Sequence, residues 1–132
     1  MKRNVYTGRC ECDAVQYKLK GPLRDSVACH CKQCRRTSGH YFSATAVSNE
    51  RLSLIKTDGL KWYRSSENAE RGFCKKCGSS LFWRRNGEGT TSVCSGTLDD
   101  PTGLKTSKHI FVADKGDYYE IADGLPQLEA YL

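Results

Sequence analysis

No apolar run in this 132-residue sequence is long enough to span a bilayer. Its start, Met1-Lys2-Arg3-Asn4-Val5-Tyr6, passes directly into polar residues without the apolar stretch of a secretory leader. A soluble, cytoplasmic chain with no membrane partner is therefore expected. No proline-, glycine- or serine-rich linker and no internal repeat divides the sequence, so residues 1–132 are expected to form a single domain. Long amphipathic helices are missing as well. Only Gln33 to Thr37, stopped by Gly39, has the composition for a helical turn. Basic residues outnumber acidic ones by 21 to 15, yet they form no stripe; the one compact group is Lys32, Arg35 and Arg36, which argues against a nucleic-acid surface.

What the chain does have is short stretches in which apolar residues alternate with polar ones. They are Val15-Tyr17-Leu19, Tyr41 to Val47, Leu52 to Ile55, Leu60 to Tyr63, Leu81 to Trp83, Ser92 to Leu98, Ile110 to Val112 and Tyr118 to Ile121. Turn signals such as Gly21-Pro22, Asp58-Gly59, Asn86-Gly87 and Asp99-Asp100-Pro101 separate them. The pattern predicts a mainly β fold. Trp62, Tyr63, Phe82 and Trp83 are expected to pack on sheet faces rather than to form a stacking platform for bases.

Eight cysteines are the strongest feature, and seven of them fall into three groups: Cys10-Glu11-Cys12, Cys29-His30-Cys31-Lys32-Gln33-Cys34 and Cys74-Lys75-Lys76-Cys77-Gly78. In a reducing compartment such close groups point to metal ligation, although a disulfide framework is the other way to use an even number. Structural zinc takes four tetrahedral ligands, whereas a reactive zinc keeps one position for water or substrate. The first and third groups together supply four thiolates; adding either to the middle group would supply one too many. This partition predicts a closed site of Cys10, Cys12, Cys74 and Cys77. It leaves Cys29, Cys31 and Cys34 as a catalytic zinc site with an open fourth position, so two Zn2+ per chain are expected. Cys94, His30 and His40 are the residues that would close that position instead. For Cys94, alone in Ser92-Val93-Cys94-Ser95, the reading is a small buried hydrophobe; for His30, a ring turned away from the metal; for His109, a satisfied, partly buried imidazole.

Metal also changes the charge argument. The formal +6 loses seven on ionisation of the bound thiols and gains four from two dications, which leaves +3. Three thiolates on one zinc carry a net charge of −1, a weak Lewis acid better suited to sulfur than to making hydroxide. A substrate thiol in the open position, with carbon–sulfur bond formation there, is the chemistry this favours. Lys32, Arg35 or Arg36 are the nearby cations for a substrate carboxylate. A non-catalytic zinc module that binds a protein or nucleic acid, with the middle group closed by a fourth protein ligand, is the alternative. A thiol–disulfide switch is a third reading.

The motifs Gly8-Arg9-Cys10-Glu11-Cys12, Cys29-His30-Cys31-Lys32-Gln33-Cys34 and Phe73-Cys74-Lys75-Lys76-Cys77-Gly78-Ser79-Ser80-Leu81-Phe82 occur in that order. With Gly96-Thr97-Leu98-Asp99-Asp100-Pro101, His109-Ile110-Phe111 and Asp123-Gly124-Leu125-Pro126, they make the sequence similar to the glutathione-dependent formaldehyde-activating family, which also takes in proteins like centromere protein V. The resemblance implies a β-tent of small antiparallel sheets organised around zinc, with a structural zinc at Cys10, Cys12, Cys74 and Cys77 and an active-site zinc at Cys29, Cys31 and Cys34. It also implies a carbon–sulfur lyase activity that joins formaldehyde and glutathione reversibly as S-hydroxymethylglutathione, glutathione being the small-molecule partner. One departure is visible: Asp117-Tyr118-Tyr119 stands where the family pattern would have a tryptophan.

Overall fold

A computed structural model describes residues 4–131. The expectations placed on Met1, Lys2 and Arg3 lie outside the described residues. Among those described, no helix is long and apolar enough to cross a membrane.

The chain is mainly β, as the alternation predicts. Strands β1 (Val5–Arg9), β2 (Gln16–Lys20) and β5 (Leu52–Lys56) form a three-stranded antiparallel sheet in the order β1-β2-β5. The second sheet contains β3 (Ser26–Cys29), β4 (Phe42–Ser48), β6 (Leu60–Ser66), β7 (Ala69–Cys74), β8 (Ser80–Arg85), β9 (Thr90–Cys94) and β10 (Thr106–Ile110). Its order is β10-β3-β4-β9-β8-β7-β6. The outer pair β10–β3 is parallel, which the expectation of antiparallel sheets did not foresee. Among the described residues there is a single α-helix, α1 (Lys32–Ser38), capped by Cys31 and ending at Gly39, where the sequence places its only helical turn.

Alternation on β2 sends Tyr17 and Leu19 inward, each 1% exposed, while Lys18 and Lys20 face solvent. They join Val15, Val47, Leu81, Phe82, Val93 and Leu98 in the main core, and Cys10 and Cys74 belong to the same cluster. A smaller cluster holds Cys34, Phe42 and Ala44, with Cys29, Cys31, Trp83 and Cys94 packed against it. Each group of ligand-type cysteines therefore sits in a different apolar environment. Trp62 stacks on Phe82 at 5.7 Å and Trp83 packs on the smaller cluster, as expected of sheet-face aromatics, but Tyr63 is 40% exposed.

Three strand expectations differ from the fold. Ser92 to Leu98 is strand only as far as Cys94, where a 3-10 turn (Ser95–Thr97) follows, and Ile110 to Val112 is strand only at Ile110, before a 3-10 turn at Val112–Asp114. Tyr118 to Ile121 forms no strand. The edge of β10 is instead met by a later segment, with His109 N–H donating to Pro126 O and Leu128 N–H to His109 O, both at 2.9 Å. The segments that become β1, β3 and β7 lack the alternation by which the other strands are read.

Candidate functional site

All eight cysteines are free thiols, so the disulfide framework is not what organises the fold. Seven converge into two sets, Cys10/Cys12/Cys74/Cys77 and Cys29/Cys31/Cys34, and within each set every sulfur lies within 4.8 Å of the others. This is the partition the ligand arithmetic predicts.

The four-cysteine set is built from two tight turns. Cys10 and Cys12 follow β1; Cys74 ends β7, and Cys77 lies in the turn to β8. Gly78, at φ +81°, curls that turn so that its N–H reaches Cys74 O at 2.7 Å, a conformation a side chain would strain. Val15 N–H donates to Cys10 Sγ at 3.2 Å. The Ser79 hydroxyl accepts from Glu11 N–H at 3.1 Å and lies 3.2 Å from Cys77 Sγ. That hydroxyl is the main cause holding the Cys77 thiol down at about 5. The two turns are clamped together by Gly59, whose N–H donates to Ala14 O at 3.0 Å and whose carbonyl accepts from Lys75 N–H at 2.7 Å. There is no room for a side chain there, since a Cβ would lie 2.5 Å from Cys74 Sγ. Cys10 and Cys12 sulfurs are 3.8 Å apart and those of Cys12 and Cys74 are 3.7 Å apart. Thiolates about 2.3 Å from a tetrahedral zinc stand about 3.8 Å from one another. The donor set therefore fits a metal of this kind.

In the three-cysteine set, Cys29 ends β3, Cys31 caps α1 and Cys34 lies within it, buried at 3% exposure. Cys34 N–H donates to Cys31 Sγ at 3.3 Å. Hydrogen bonds from the Cys29 and Cys34 thiols, with smaller help from the charge of Arg71, hold Cys31 far below the ordinary thiol range. Cys29 is pushed up by the same sharing of a proton with Cys31. Three sulfurs so close ionise together only around a cation, so this set also fits a metal. Among the described residues, no fourth histidine, cysteine or carboxylate joins it.

The candidates for that fourth place are engaged elsewhere or simply not part of the set. His30 is fully buried, and both ring nitrogens are used: Nε2 lies 2.8 Å from His109 Nδ1, and Nδ1 is hydrogen-bonded to the Tyr119 hydroxyl. His109 Nε2 in turn meets Asp123 Oδ2 at 2.8 Å. The carboxylate fixes the tautomers along this chain. Asp123 accepts from His109 Nε2–H, His109 Nδ1 accepts from His30 Nε2–H, and His30 Nδ1 is left to accept from the Tyr119 O–H. Burial, with His109 next, lowers His30 to about 4 and keeps it neutral. His30 is thus locked between Cys29 and Cys31, turned away from their sulfurs as the sequence predicts. His109 is the satisfied imidazole expected. Tyr119, within the segment that departs from the family pattern, proves to be part of this network. His40 is exposed and packs edge-on against Tyr119. Cys94 lies opposite Ala44 on β9, outside the sulfur set, its thiol pushed up by burial.

Lys32 and Arg36 are exposed and Arg35 is half-buried. The cation that touches a cysteine of the set is one that sequence reasoning missed: Arg71 on β7, 7% exposed, with Nη2 3.5 Å from Cys34 Sγ. Gly59, read from the sequence only as half of a turn, is the other omission.

The sequence matches the profile of the family described as "Glutathione-dependent formaldehyde-activating enzyme" over residues 5–114. It is 28% identical to an uncharacterized lyase of Schizosaccharomyces pombe over 89% of this chain and 86% of that protein. It is 32% identical to a protein of Pyrenophora teres named for glutathione-dependent formaldehyde activation, over 57% of this chain but only 42% of that protein. A crystal structure of a Rhodobacter sphaeroides protein superposes with a TM-score of 0.60 at 26% identity, covering 71% of this chain and 88% of the other.

Proposed function

The chain belongs to the glutathione-dependent formaldehyde-activating family, and from that premise we propose that it is a zinc-dependent carbon–sulfur lyase working at Cys29, Cys31 and Cys34. The observation that carries this reading is the inequality of the two sulfur sets, four donors in one and three in the other, with no fourth protein donor among the described residues. A set of four is complete for a structural zinc, and a set of three leaves room for a substrate. Cys10, Cys12, Cys74 and Cys77 hold the structural ion at the edge of the main core, with Cys10 and Cys74 buried in it and Cys12 exposed. The described residues act as one zinc domain.

Zinc held by the three thiolates supplies a cation that favours the ionised form of a substrate thiol at the open position. The reaction that fits is addition of that thiol to formaldehyde. The sulfur forms a bond to the carbonyl carbon, the carbon–oxygen π pair moves to oxygen, and the proton lost by sulfur ends on that oxygen; reversal breaks the carbon–sulfur bond. Glutathione is the proposed thiol, and S-hydroxymethylglutathione the adduct. The protein's part is orientation. His30, fixed through His109 and Asp123, holds the backbone between Cys29 and Cys31, while the first turn of α1 presents Cys34.

Adduct formation from glutathione and formaldehyde, followed with the parent chain and Cys31→Ser at matched zinc content, tests the proposal. A loss of about tenfold or more in rate is expected, since a reaction that depends on an assembled three-thiolate centre loses at least about 1.4 kcal/mol of barrier lowering without it. Equal rates would refute the lyase.

A further inference from the structure

Arg71 poses an energetic question that the fold alone does not answer. A guanidinium carries its charge at every physiological pH and is rarely buried without a partner. Yet Arg71 is 7% exposed and makes no ion pair with a carboxylate among the described residues. Its neighbours are neutral or soft. Nε and Nη2 donate to Gln33 Oε1 at 3.2 and 3.0 Å, Nη2 approaches Cys34 Sγ at 3.5 Å, and Cζ lies 5.4 Å from the centre of the Phe42 ring. Gln33 is held for this purpose: its Nε2 donates to Ser65 O at 2.6 Å, which turns the amide oxygen toward Arg71. A buried charge is tolerable when its opposite is close, and among the described residues the three-cysteine set is what can supply one here, with Cys34 the sulfur in contact.

We propose that Arg71 is the built-in counter-charge of the three-cysteine centre, and that it is what allows a fourth, substrate thiolate to be accepted there. The inference rests on the function proposed above. Three thiolates and a dication sum to −1, which Arg71 brings to zero. A substrate thiolate then adds −1 to a neutral unit rather than making −2 inside a low-dielectric cluster, where like charges repel strongly. Arg71 is a positioning residue in this account, acting through Cys34 and never touching the substrate.

A cavity of about 210 Å³ lined by Arg71 together with Thr37, Phe42, Tyr63 and Ser80 gives a competing use for the guanidinium, namely a substrate carboxylate. The two uses are separable. Calorimetric titration of the zinc-loaded full chain is made with glutathione and with S-methylglutathione, which has the same carboxylates but no thiol to ionise. The parent chain is expected to prefer glutathione and to release its thiol proton to the buffer. Arg71→Met is expected to keep two zinc ions per chain and its affinity for S-methylglutathione, while losing about tenfold or more in affinity for glutathione, the scale on which partners of metal ligands act. Arg71→Lys should recover part of that loss, because it returns the charge without the fork. If Arg71→Met sheds its zinc, Gln33→Leu serves in its place, keeping the charge but removing its aim, with the same selective loss expected.

Unchanged glutathione affinity in these variants overturns the inference. So does an equal loss for both ligands, which would assign Arg71 to a carboxylate. A parent chain that binds the two ligands equally refutes the thiolate-binding centre itself and this inference with it, and is distinguishable from the other outcomes because it appears before any substitution is made.

Discussion

His30 Nε2 lies 2.8 Å from His109 Nδ1, although the residues are 79 positions apart in sequence. The contact joins the end of β3 to β10 and sets the imidazole that separates two ligand-type cysteines. His109→Ala leaves a fully buried ring nitrogen without a partner, which costs about 1–3 kcal/mol. Denaturant unfolding of the zinc-loaded chain should register that loss. Zinc competition with a chelator should show the three-cysteine site weakened by about 10–100-fold while the four-cysteine site is unchanged. Equal weakening of both sites would mean that His109 serves only general stability.

Gly59 is expected to tolerate no side chain. In Gly59→Ala the new Cβ would meet Cys74 Sγ at 2.5 Å and Ala14 Cβ at 2.9 Å. Both neighbours are fixed, Ala14 by the turn and Cys74 by the core. Overpacking of this kind costs about 1–3 kcal/mol, and chelator competition should find the four-cysteine site weakened first.

The two sulfur sets should contribute unequally to folding. Cys74 is 0% exposed within the main core, whereas Cys31 is half-buried at the smaller cluster. Cys74→Ser should abolish cooperative thermal unfolding or shift it strongly downward, because a structural zinc contributes its binding free energy to the fold. Cys31→Ser should retain a cooperative transition near that of the parent chain. Circular dichroism melts of the two variants check this.

Tyr17 predicts an alkaline weakness. Its hydroxyl is 2.6 Å from Thr97 Oγ1, and burial pushes the phenol well above the ordinary tyrosine range. Below about pH 10 the phenol is protonated in both folded and unfolded chains and has no effect on the balance. Above that, the unfolded chain releases the proton and the folded one does not, so stability falls as pH rises. Tyr17→Phe loses about 1 kcal/mol at neutral pH with its hydrogen bond, and unfolding measured from about pH 9 to 11 should fall less steeply than in the parent chain.

Much of this was legible in the sequence because ligand spacing and period-2 alternation are local signals. The division of seven cysteines into four and three, the helical turn ending at Gly39 and strands such as β2, β4 and β8 needed no long-range information. The omissions have physical causes. β3 is Ser26-Val27-Ala28-Cys29, with its first three residues buried, so it shows no alternation. β7 carries a register shift between Gly72 and Phe73 that breaks the period just before Cys74. Tyr118 to Ile121 alternates as a strand would, but Tyr119 is held by its hydroxyl on His30 and by its carbonyl on Lys115, and residues 126–130 supply the partners for β10 and the segment after it. Arg71 went unseen because its partner is a sulfur 37 positions away rather than a carboxylate with a recognisable spacing.

The most direct measurement is X-ray absorption at the zinc edge of the loaded chain, before and after adding glutathione. The two sulfur sets predict seven sulfurs shared by two zinc ions, rising to eight when the thiol binds. Eight sulfurs before any thiol is added, unchanged afterwards, would mean that both centres are closed by the protein and would contradict the open three-cysteine site.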